Sequence, residues 1–181
     1  MSRAGGKMGV MPLRYTTTPT SIGIALVVES DDGLAALRFA EGSPERMLDQ
    51  IMAARREPAV RDDDALDPAV MQLEQYFAGE RRAFDIRLDL AGLTPFTRAA
   101  LEAIREIPYG ETAGYGEVAI TAGIPRAARA VGTACANTPI SVVIPVHRVV
   151  RSDGSLGEYG GHPEVKRALL ALESGIEGVL P

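Results

Sequence analysis

A chain of 181 residues can form one large domain or two small ones, and 46% hydrophobic and 24% charged residues are ordinary globular values. The one cysteine excludes an internal disulfide and a cysteine-rich zinc site; with two histidines beside it, we expect no metal and no cofactor. The net charge of −5 argues against binding polyanions over the whole surface. Because no apolar run reaches membrane-spanning or signal-peptide length, we predict a cytoplasmic protein without membrane contact.

The first half of the chain is predicted to form a small α/β domain. Apolar and β-branched residues at 21–28 and 34–39, separated by an Asp-Asp-Gly turn signal, predict a hairpin. Ser43 and Pro44 are predicted to open a helix that ends near Arg55, with Ser43 as its cap. The polar residues 57–67 predict a loop; its three aspartates at 62–64 could hold a cation, although a solvated loop is the simpler interpretation. A second helix is expected from Asp67 to about Phe77, and alternation over 84–88 predicts a half-buried strand.

The second half is predicted to form a helix-turn-helix domain. Thr94 can cap a helix that reaches about Ile107, and two short helices at 117–122 and 126–135 flank a Gly-Ile-Pro turn. An apolar strand at 141–144 leads into the segment Ile-Pro-Val-His-Arg-Val-Val, a turn-rich wing follows at 152–157, and a last helix is expected over 163–173. The predicted organisation is a tail at 1–11, an α/β domain at 12–92, a winged helix-turn-helix domain at 93–176 and a tail at 177–181.

One stretch differs in charge from the rest of the protein. Residues 118–152 contain no acid and four arginines, at 126, 129, 148 and 151. Such a stretch is typical of a phosphate-facing surface, while chance clustering in a core segment is the alternative. Its helix is rich in Ala and Gly and lacks long base-reading side chains, so it could lie in a minor groove or pack tightly inside a core.

Several motifs occur in one order across the second half: Thr-Pro-Phe at 94–96, Ile-Pro-Tyr-Gly at 107–110, Tyr-Gly-Glu-Val-Ala at 115–119, Ala-Arg-Ala-Val-Gly at 128–132, Asn137, Ile-Pro-Val-His-Arg-Val at 144–149 and Tyr-Gly-Gly at 159–161. Together they resemble the O6-alkylguanine-DNA alkyltransferases, also called methylated-DNA–protein-cysteine methyltransferases. The resemblance implies an RNase H-like N-terminal α/β domain and a C-terminal winged helix-turn-helix domain.

Family members bind duplex DNA by the minor groove and rotate the damaged guanosine out of the stack. By resemblance, Arg129 fills the vacated space and Tyr115 crowds the phosphate. The residues then expected at the DNA are Tyr115, Arg126, Ala127, Arg129, Ala130, Gly132 and Arg148, and those expected in the lesion pocket are Val146, Val149, Tyr159 and Gly160.

Val146 stands where the family has its nucleophilic cysteine, and a valine side chain cannot be a nucleophile. The resemblance leaves a residual network of His147, Asn137 and Glu173. We therefore expect no intact catalytic site. The expected role is non-catalytic recognition of O6-alkylguanine in double-stranded DNA, similar in logic to the alkyltransferase-like proteins, by a monomer that passes lesions to nucleotide excision repair proteins.

Two alternatives remain open. The protein could be an active methyltransferase with another acceptor such as Cys135, eleven residues before Val146. Without a base or a positive neighbour, that thiol would keep a pKa of about 8.5. The chain could also be a relic scaffold that binds only protein.

Overall fold

The computed structural model describes residues 11–40, 42–157 and 159–175. In this part, an N-terminal sheet contains β1 (Leu13–Thr20), β2 (Gly23–Ser30), β3 (Gly33–Ala40) and β4 (Ala59–Arg61) in the order β3-β2-β1-β4. The predicted hairpin is β2 and β3. Strand β1 was not predicted, although it pairs with β2 from Arg14 to Thr20. Its Thr-rich sequence lacks a run of apolar residues, because only one of its faces is buried.

Helix α1 (Pro44–Arg55) follows the sheet and ends where the sequence predicts. Ser43 does not cap it through a backbone amide; its hydroxyl bonds the Glu45 carboxylate instead. The predicted loop at 57–67 is wrong. It contains β4, which pairs in parallel with β1, and the start of α2 (Asp63–Phe77). Asp62 caps α2 by accepting a hydrogen bond from the Ala65 amide at 3.0 Å, which explains the early start and gives the first of the three aspartates a structural role.

Residues 84–88 do not form the predicted strand. They make only an isolated parallel bridge, between Leu88 and Leu34 of β3. The buried carboxylate of Asp89 anchors this segment by accepting hydrogen bonds from Ser30 at 2.7 Å and from Arg55. The alternating pattern therefore reports a half-buried extended segment and not a paired strand.

The second half consists of helices. They are α3 (Pro95–Arg105), α4 (Tyr115–Thr121), α5 (Ala128–Ala136) and α6 (Pro163–Glu173), with a short parallel pair of β5 (Ala113–Gly114) and β6 (Val149–Val150). Thr94 caps α3 as predicted, accepting from the Thr97 amide at 3.2 Å. The predicted strand at 141–144 is absent; the chain there makes single bridges and a tight turn.

One apolar core joins the two halves. Leu37 and Leu73 belong to the same buried cluster as Ile104 and Ile140. The backbone also crosses over: the Leu37 amide donates to the Pro139 carbonyl, and the Ser141 amide donates to the Leu37 carbonyl, both at 2.9 Å. The N-terminal sheet thereby fixes the segment that leads into residues 144–150.

Two further predictions from the sequence concern the tails at the chain ends and the absence of a membrane-spanning segment. The predicted tails at 1–11 and 177–181 lie, apart from Met11, outside the described residues. Within the described part of the chain, no helix combines the length and apolar character needed to cross a membrane.

Candidate active site

A cavity of about 1150 Å³ lies between the N-terminal sheet and the C-terminal helices. The first half contributes Ile22, Arg38, Phe39 and Met47 to its wall. Of the residues singled out in the sequence, the structure brings together at this cavity Tyr115, Arg129, Gly132, Asn137, Val146, Tyr159 and Gly160. The sequence analysis did not predict these wall residues from the first half, because they belong to no motif and come close to α5 only in the folded structure.

The side chain of Tyr115 is held between two glycines. A Cβ at Gly132 would lie 3.8 Å from the Tyr115 ring, and a Cβ at Gly157 would lie 3.1 Å from its hydroxyl oxygen. Gly157 also has a φ of 68°, a left-handed conformation that side chains other than glycine rarely adopt. The small residues of α5 and of the 152–157 segment therefore allow the ring to lie against both backbones at the cavity wall.

The segment before residue 146 turns sharply. Val142 has a φ of 69°, which is unfavourable for a β-branched residue, and it is 1% exposed. The Val143 amide donates to the Ser141 carbonyl at 2.8 Å, and the Ile144 amide donates to the Ile140 carbonyl at 3.2 Å. This turn leads into a short 3-10 helix, Val146–Arg148, which places Val146 at the cavity and His147 behind it in the core.

A buried hydrogen-bond network lies behind the cavity wall and centres on Glu173. Its Oε1 accepts from Tyr76 at 2.7 Å, from Arg148 at 2.9 Å and from Nε2 of His147 at 2.9 Å. Its Oε2 accepts from Arg148 at 2.8 Å and from the Gly110 amide at 3.2 Å. Burial opposes ionisation of this carboxyl, but the hydrogen bonds from His147 and Arg148 outweigh it and hold the pKa of Glu173 at about 2.

The ionised carboxylate sets the protonation of its neighbours. Because Glu173 accepts at Nε2, the neutral His147 ring carries its proton there and presents Nδ1 as an acceptor, which has no hydrogen-bond partner among the described residues. Burial lowers the pKa of His147 below its ordinary range, although Glu173 raises it. Burial and the Glu173 charge together raise the pKa of Tyr76, so that its hydroxyl remains a donor.

The structure corrects three expected roles. Asn137 is exposed at the end of α5, where its side chain donates to the Thr133 carbonyl at 2.8 Å, so it is not part of the network of His147 and Glu173. Arg148 is 6% exposed and paired with Glu173, so it is not on a DNA-facing surface. Val149 is 0% exposed and lies in β6, behind the cavity wall.

The other predicted DNA contacts lie on the surface around α5. Arg126 is exposed in the turn before α5 with a φ of 74°, and Arg129 is exposed at the cavity mouth. Ala127 and Ala130 are half-buried and lie outside the cavity wall. Tyr159 is at the cavity, where burial raises the pKa of its hydroxyl and Ser141 lowers it.

Cys135 is at the cavity wall together with Val146. The pKa of the Cys135 thiol differs from the value expected from the sequence. Burial raises the pKa of the thiol to about 12, and the side chain of Lys166 acts in the opposite direction. The expected pKa of about 8.5 is therefore wrong, and so is the expected lack of a positive neighbour. The sequence could not reveal this pair, because Lys166 lies thirty-one positions away on α6.

Two family descriptions cover nearly all of the described chain. The ribonuclease-like domain of 6-O-methylguanine DNA methyltransferase matches residues 13–90, and its DNA binding domain matches residues 95–175. The methylated-DNA–protein-cysteine methyltransferase of Mycolicibacterium paratuberculosis is 43% identical over 161 residues, which cover 89% of this chain and 92% of that protein. The chain belongs to the 6-O-methylguanine DNA methyltransferase family.

Further relatives support the same family. The methylated-DNA–protein-cysteine methyltransferase of Mycobacterium tuberculosis H37Rv is 48% identical over 128 residues, covering 71% of this chain and 77% of that protein. The crystal structure of Mycobacterium tuberculosis OGT in complex with DNA aligns with a TM-score of 0.78 at 41% identity, over 90% of this chain and 93% of that one. The predicted two-domain fold is confirmed, and membership of the family supports a role in DNA binding and DNA repair.

The expected function is corrected by these relatives. Lesion recognition without alkyl transfer is wrong as the leading interpretation, because close relatives along most of the chain are methyltransferases that act on a protein cysteine. The alternative of alkyl transfer to another acceptor is better supported, and this chain contains one cysteine.

Proposed function

We propose that this protein removes alkyl groups from O6 of guanine in duplex DNA by transferring them to its own cysteine, Cys135. In this reaction the sulfur forms a bond to the alkyl carbon while the bond between that carbon and O6 breaks. The thiol loses its proton, and guanine gains one. A thioether and an unmodified guanine result, so each protein molecule reacts once and no cofactor is consumed.

The observation that carries this proposal is the position of Cys135 in the wall of the cavity. Val146 and Tyr159 line the same cavity, and the family resemblance predicts the damaged base beside these residues. The family resemblance puts Val146 at the nucleophile position, and a valine side chain has no lone pair to attack carbon. Cys135 is the one thiol of the chain and therefore the acceptor that a cysteine methyltransferase requires.

The cavity and its surroundings suit an extruded base. Its volume of about 1150 Å³ is somewhat larger than ordinary small-molecule pockets and leaves room for an alkylated nucleoside. We propose that Arg129, exposed at the mouth, takes the place of the rotated nucleoside, and that Tyr115 faces its phosphate. The exposed side chains of Arg126 and Arg129 belong to a stretch of sequence without acids and would attract the DNA backbone, so binding should weaken as salt is added.

The half-buried thiol of Cys135, with its raised pKa, predicts slow transfer with a steep pH dependence. With a pKa of about 12, Cys135 is almost entirely protonated at neutral pH, and only the thiolate is an effective nucleophile. Below that pKa each pH unit raises the thiolate fraction about tenfold. Single-turnover transfer measured between pH 7 and pH 9 should therefore accelerate with pH, up to the limit that DNA binding allows.

The decisive experiment is mass spectrometry of the protein after incubation with a duplex that contains one O6-methylguanine. We expect a gain of one methyl group, located to Cys135 by peptide mapping, and no gain with the undamaged duplex. Cys135→Ala is the matched control and should remain unmodified. The proposal fails if the parent gains no methyl group under conditions in which it binds the duplex, or if Cys135→Ala gains it equally.

A further inference from the structure

Arg38 of β3 is the charged side chain that the first half of the chain brings to the described cavity wall. It is half-buried, and no carboxylate in the described part of the chain forms an ion pair with it. A guanidinium carries five N–H donors, and taking some of its water away without supplying an acceptor costs free energy. The position of Arg38 therefore favours an anionic partner from outside the protein.

The fold fixes Arg38 beside the end of α5. The preceding residue, Leu37, donates its amide to the Pro139 carbonyl and accepts from the Ser141 amide with its own carbonyl, both at 2.9 Å. The cavity wall includes Arg38 together with Ser141 and residues 135–138 at the end of the helix. The N-terminal sheet thereby presents Arg38 to the same cavity that α5 borders.

Positive charge predominates on this wall. Among the described residues that line it are three arginines, Arg38, Arg129 and Arg151, which come from three separate segments of the chain. The single carboxylate among them is that of Glu164, which pairs with His162 at 2.9 Å. A cleft lined mainly by charges of one sign attracts ligands of the opposite charge. DNA supplies such a ligand, because a strand carries a phosphate on each side of any nucleoside that it extrudes.

We infer that Arg38 binds a phosphate of the DNA strand that carries the lesion, so that the extruded nucleotide is held between the two halves of the protein. The ribonuclease-like half then contacts DNA itself and does not only support the DNA binding domain. An arginine suits this role because its planar fork can donate two hydrogen bonds to one phosphate. The place of the nucleotide in the cavity rests on the proposed function, but the contact can be measured without alkyl transfer.

The contact is tested by the salt dependence of binding to a duplex with one O6-methylguanine. The reference is the Cys135→Ala protein, which lacks the proposed acceptor and leaves the lesion intact. One phosphate contact contributes about 0.9 to the slope of log affinity against log salt. Adding Arg38→Met should lower the slope by about 0.9, so the loss of affinity should be about 3.5 times larger at about 50 mM salt than at about 200 mM. Arg38→Lys, which keeps the charge, should retain the slope of the reference.

Arg87→Met is the matched control. Arg87 is an arginine of the same half, has an exposed side chain and lies outside the described cavity wall, so its removal should leave affinity and slope unchanged. The alternative to a DNA contact is that Arg38 only stabilises the negative C-terminal end of α5. Arg38→Met would then lower the urea concentration of unfolding and bind DNA with the slope of the reference, and the inference would be wrong.

Neutral linkages in the DNA give a second test. A methylphosphonate replaces one phosphate at a time in the strand that carries O6-methylguanine. We expect one linkage whose neutralisation weakens binding of the reference but not of Arg38→Met; Arg38→Gln takes its place if the methionine variant does not fold. An equal loss in both proteins at every linkage would overturn the inference. If one linkage depends on Arg38 but the parent gains no methyl group on Cys135, the contact stands and the proposed function fails.

Discussion

Replacing Glu173 by Gln should destabilise the protein more than any change at its surface. The carboxylate accepts five hydrogen bonds, from Tyr76, His147, Gly110 and twice from Arg148. Glutamine has the same shape but no charge, and its amide group would point hydrogen atoms at donors. The buried Arg148 would then lack its counter-ion, which costs about 3–5 kcal/mol by analogy with other broken buried pairs.

The same carboxylate makes the parent's stability depend on pH. The folded pKa of Glu173 is about 2, below its ordinary value of 4.5. A carboxyl whose folded pKa is depressed stabilises the fold above the unfolded pKa, and this contribution is lost as pH falls through the folded pKa. The difference corresponds to about 3 kcal/mol, lost between pH 4.5 and pH 2.

Urea unfolding followed by far-ultraviolet circular dichroism measures both effects, because the chain contains no tryptophan for fluorescence. The parent should lose stability across this pH range, and Glu173→Gln should start lower and change less. Glu164→Gln is a matched control, since Glu164 is an exposed carboxylate at the start of the same helix. If Glu173→Gln unfolds at the parent's urea concentration at pH 7, the network does not stabilise the fold as described.

Two further changes test single contacts. Tyr76→Phe removes the hydroxyl that donates to Glu173 at 2.7 Å. The free energy of unfolding measured in urea should fall by about 1.5–3 kcal/mol, as expected for a buried hydrogen bond to a charged group. An unchanged urea midpoint would show that the network does not need this contact from the N-terminal half. Arg129→Ala should weaken binding to a duplex with O6-methylguanine by about 1–3 kcal/mol. It should also abolish the rise in fluorescence of a 2-aminopurine placed at the target position. An equal rise with parent and variant would show that Arg129 is not the intercalating residue.

Local signals predict the elements whose information is short-range. Thr94 and Pro95 start α3 because a hydroxyl cap and a proline fit the first turn of a helix whatever surrounds them. The hairpin of β2 and β3 likewise follows from its Asp-Asp-Gly turn. By contrast, β4 has three residues and exists only because β1 offers an open edge, which a local pattern does not reveal.

The candidate site also contains residues that the sequence predicts and residues that only the folded structure brings together. The order of motifs places Tyr115, Val146 and Tyr159 at one cavity, as the structure does. The network partners come from distant parts of the chain: Tyr76 reaches Glu173 from ninety-seven residues away. Arg148 has the positive charge that is typical of a DNA contact. Its side chain points toward Glu173 instead, because the 3-10 helix that carries it is buried. Such choices are decided by tertiary packing, so residue type alone misassigns them.

Val146→Cys tests whether the network behind the cavity can still serve a nucleophile at that position. Val146 is 4% exposed, and cysteine is slightly smaller, so the fold should tolerate the change at a cost of about 1 kcal/mol or less. The new thiol would lie beside His147, whose Nδ1 is an acceptor and whose Nε2 is held by Glu173. That arrangement meets the requirement for an activated nucleophile, a base oriented by a third group.

The experiment is cleanest in a Cys135→Ala background, where any methyl group gained from O6-methylguanine DNA must arrive at position 146. We expect single-turnover transfer faster than that of the parent at pH 7, because burial raises the pKa of Cys135 to about 12 and its thiol has no oriented histidine beside it among the described residues. His147→Ala should slow the transfer again, while Asn137→Ala should not, since the Asn137 side chain donates to the Thr133 carbonyl at the end of α5 and bonds neither His147 nor Glu173 in the described part of the chain. If the double variant binds the damaged duplex yet gains no methyl group, His147 is not placed to act on residue 146, and the network serves only the stability of the fold.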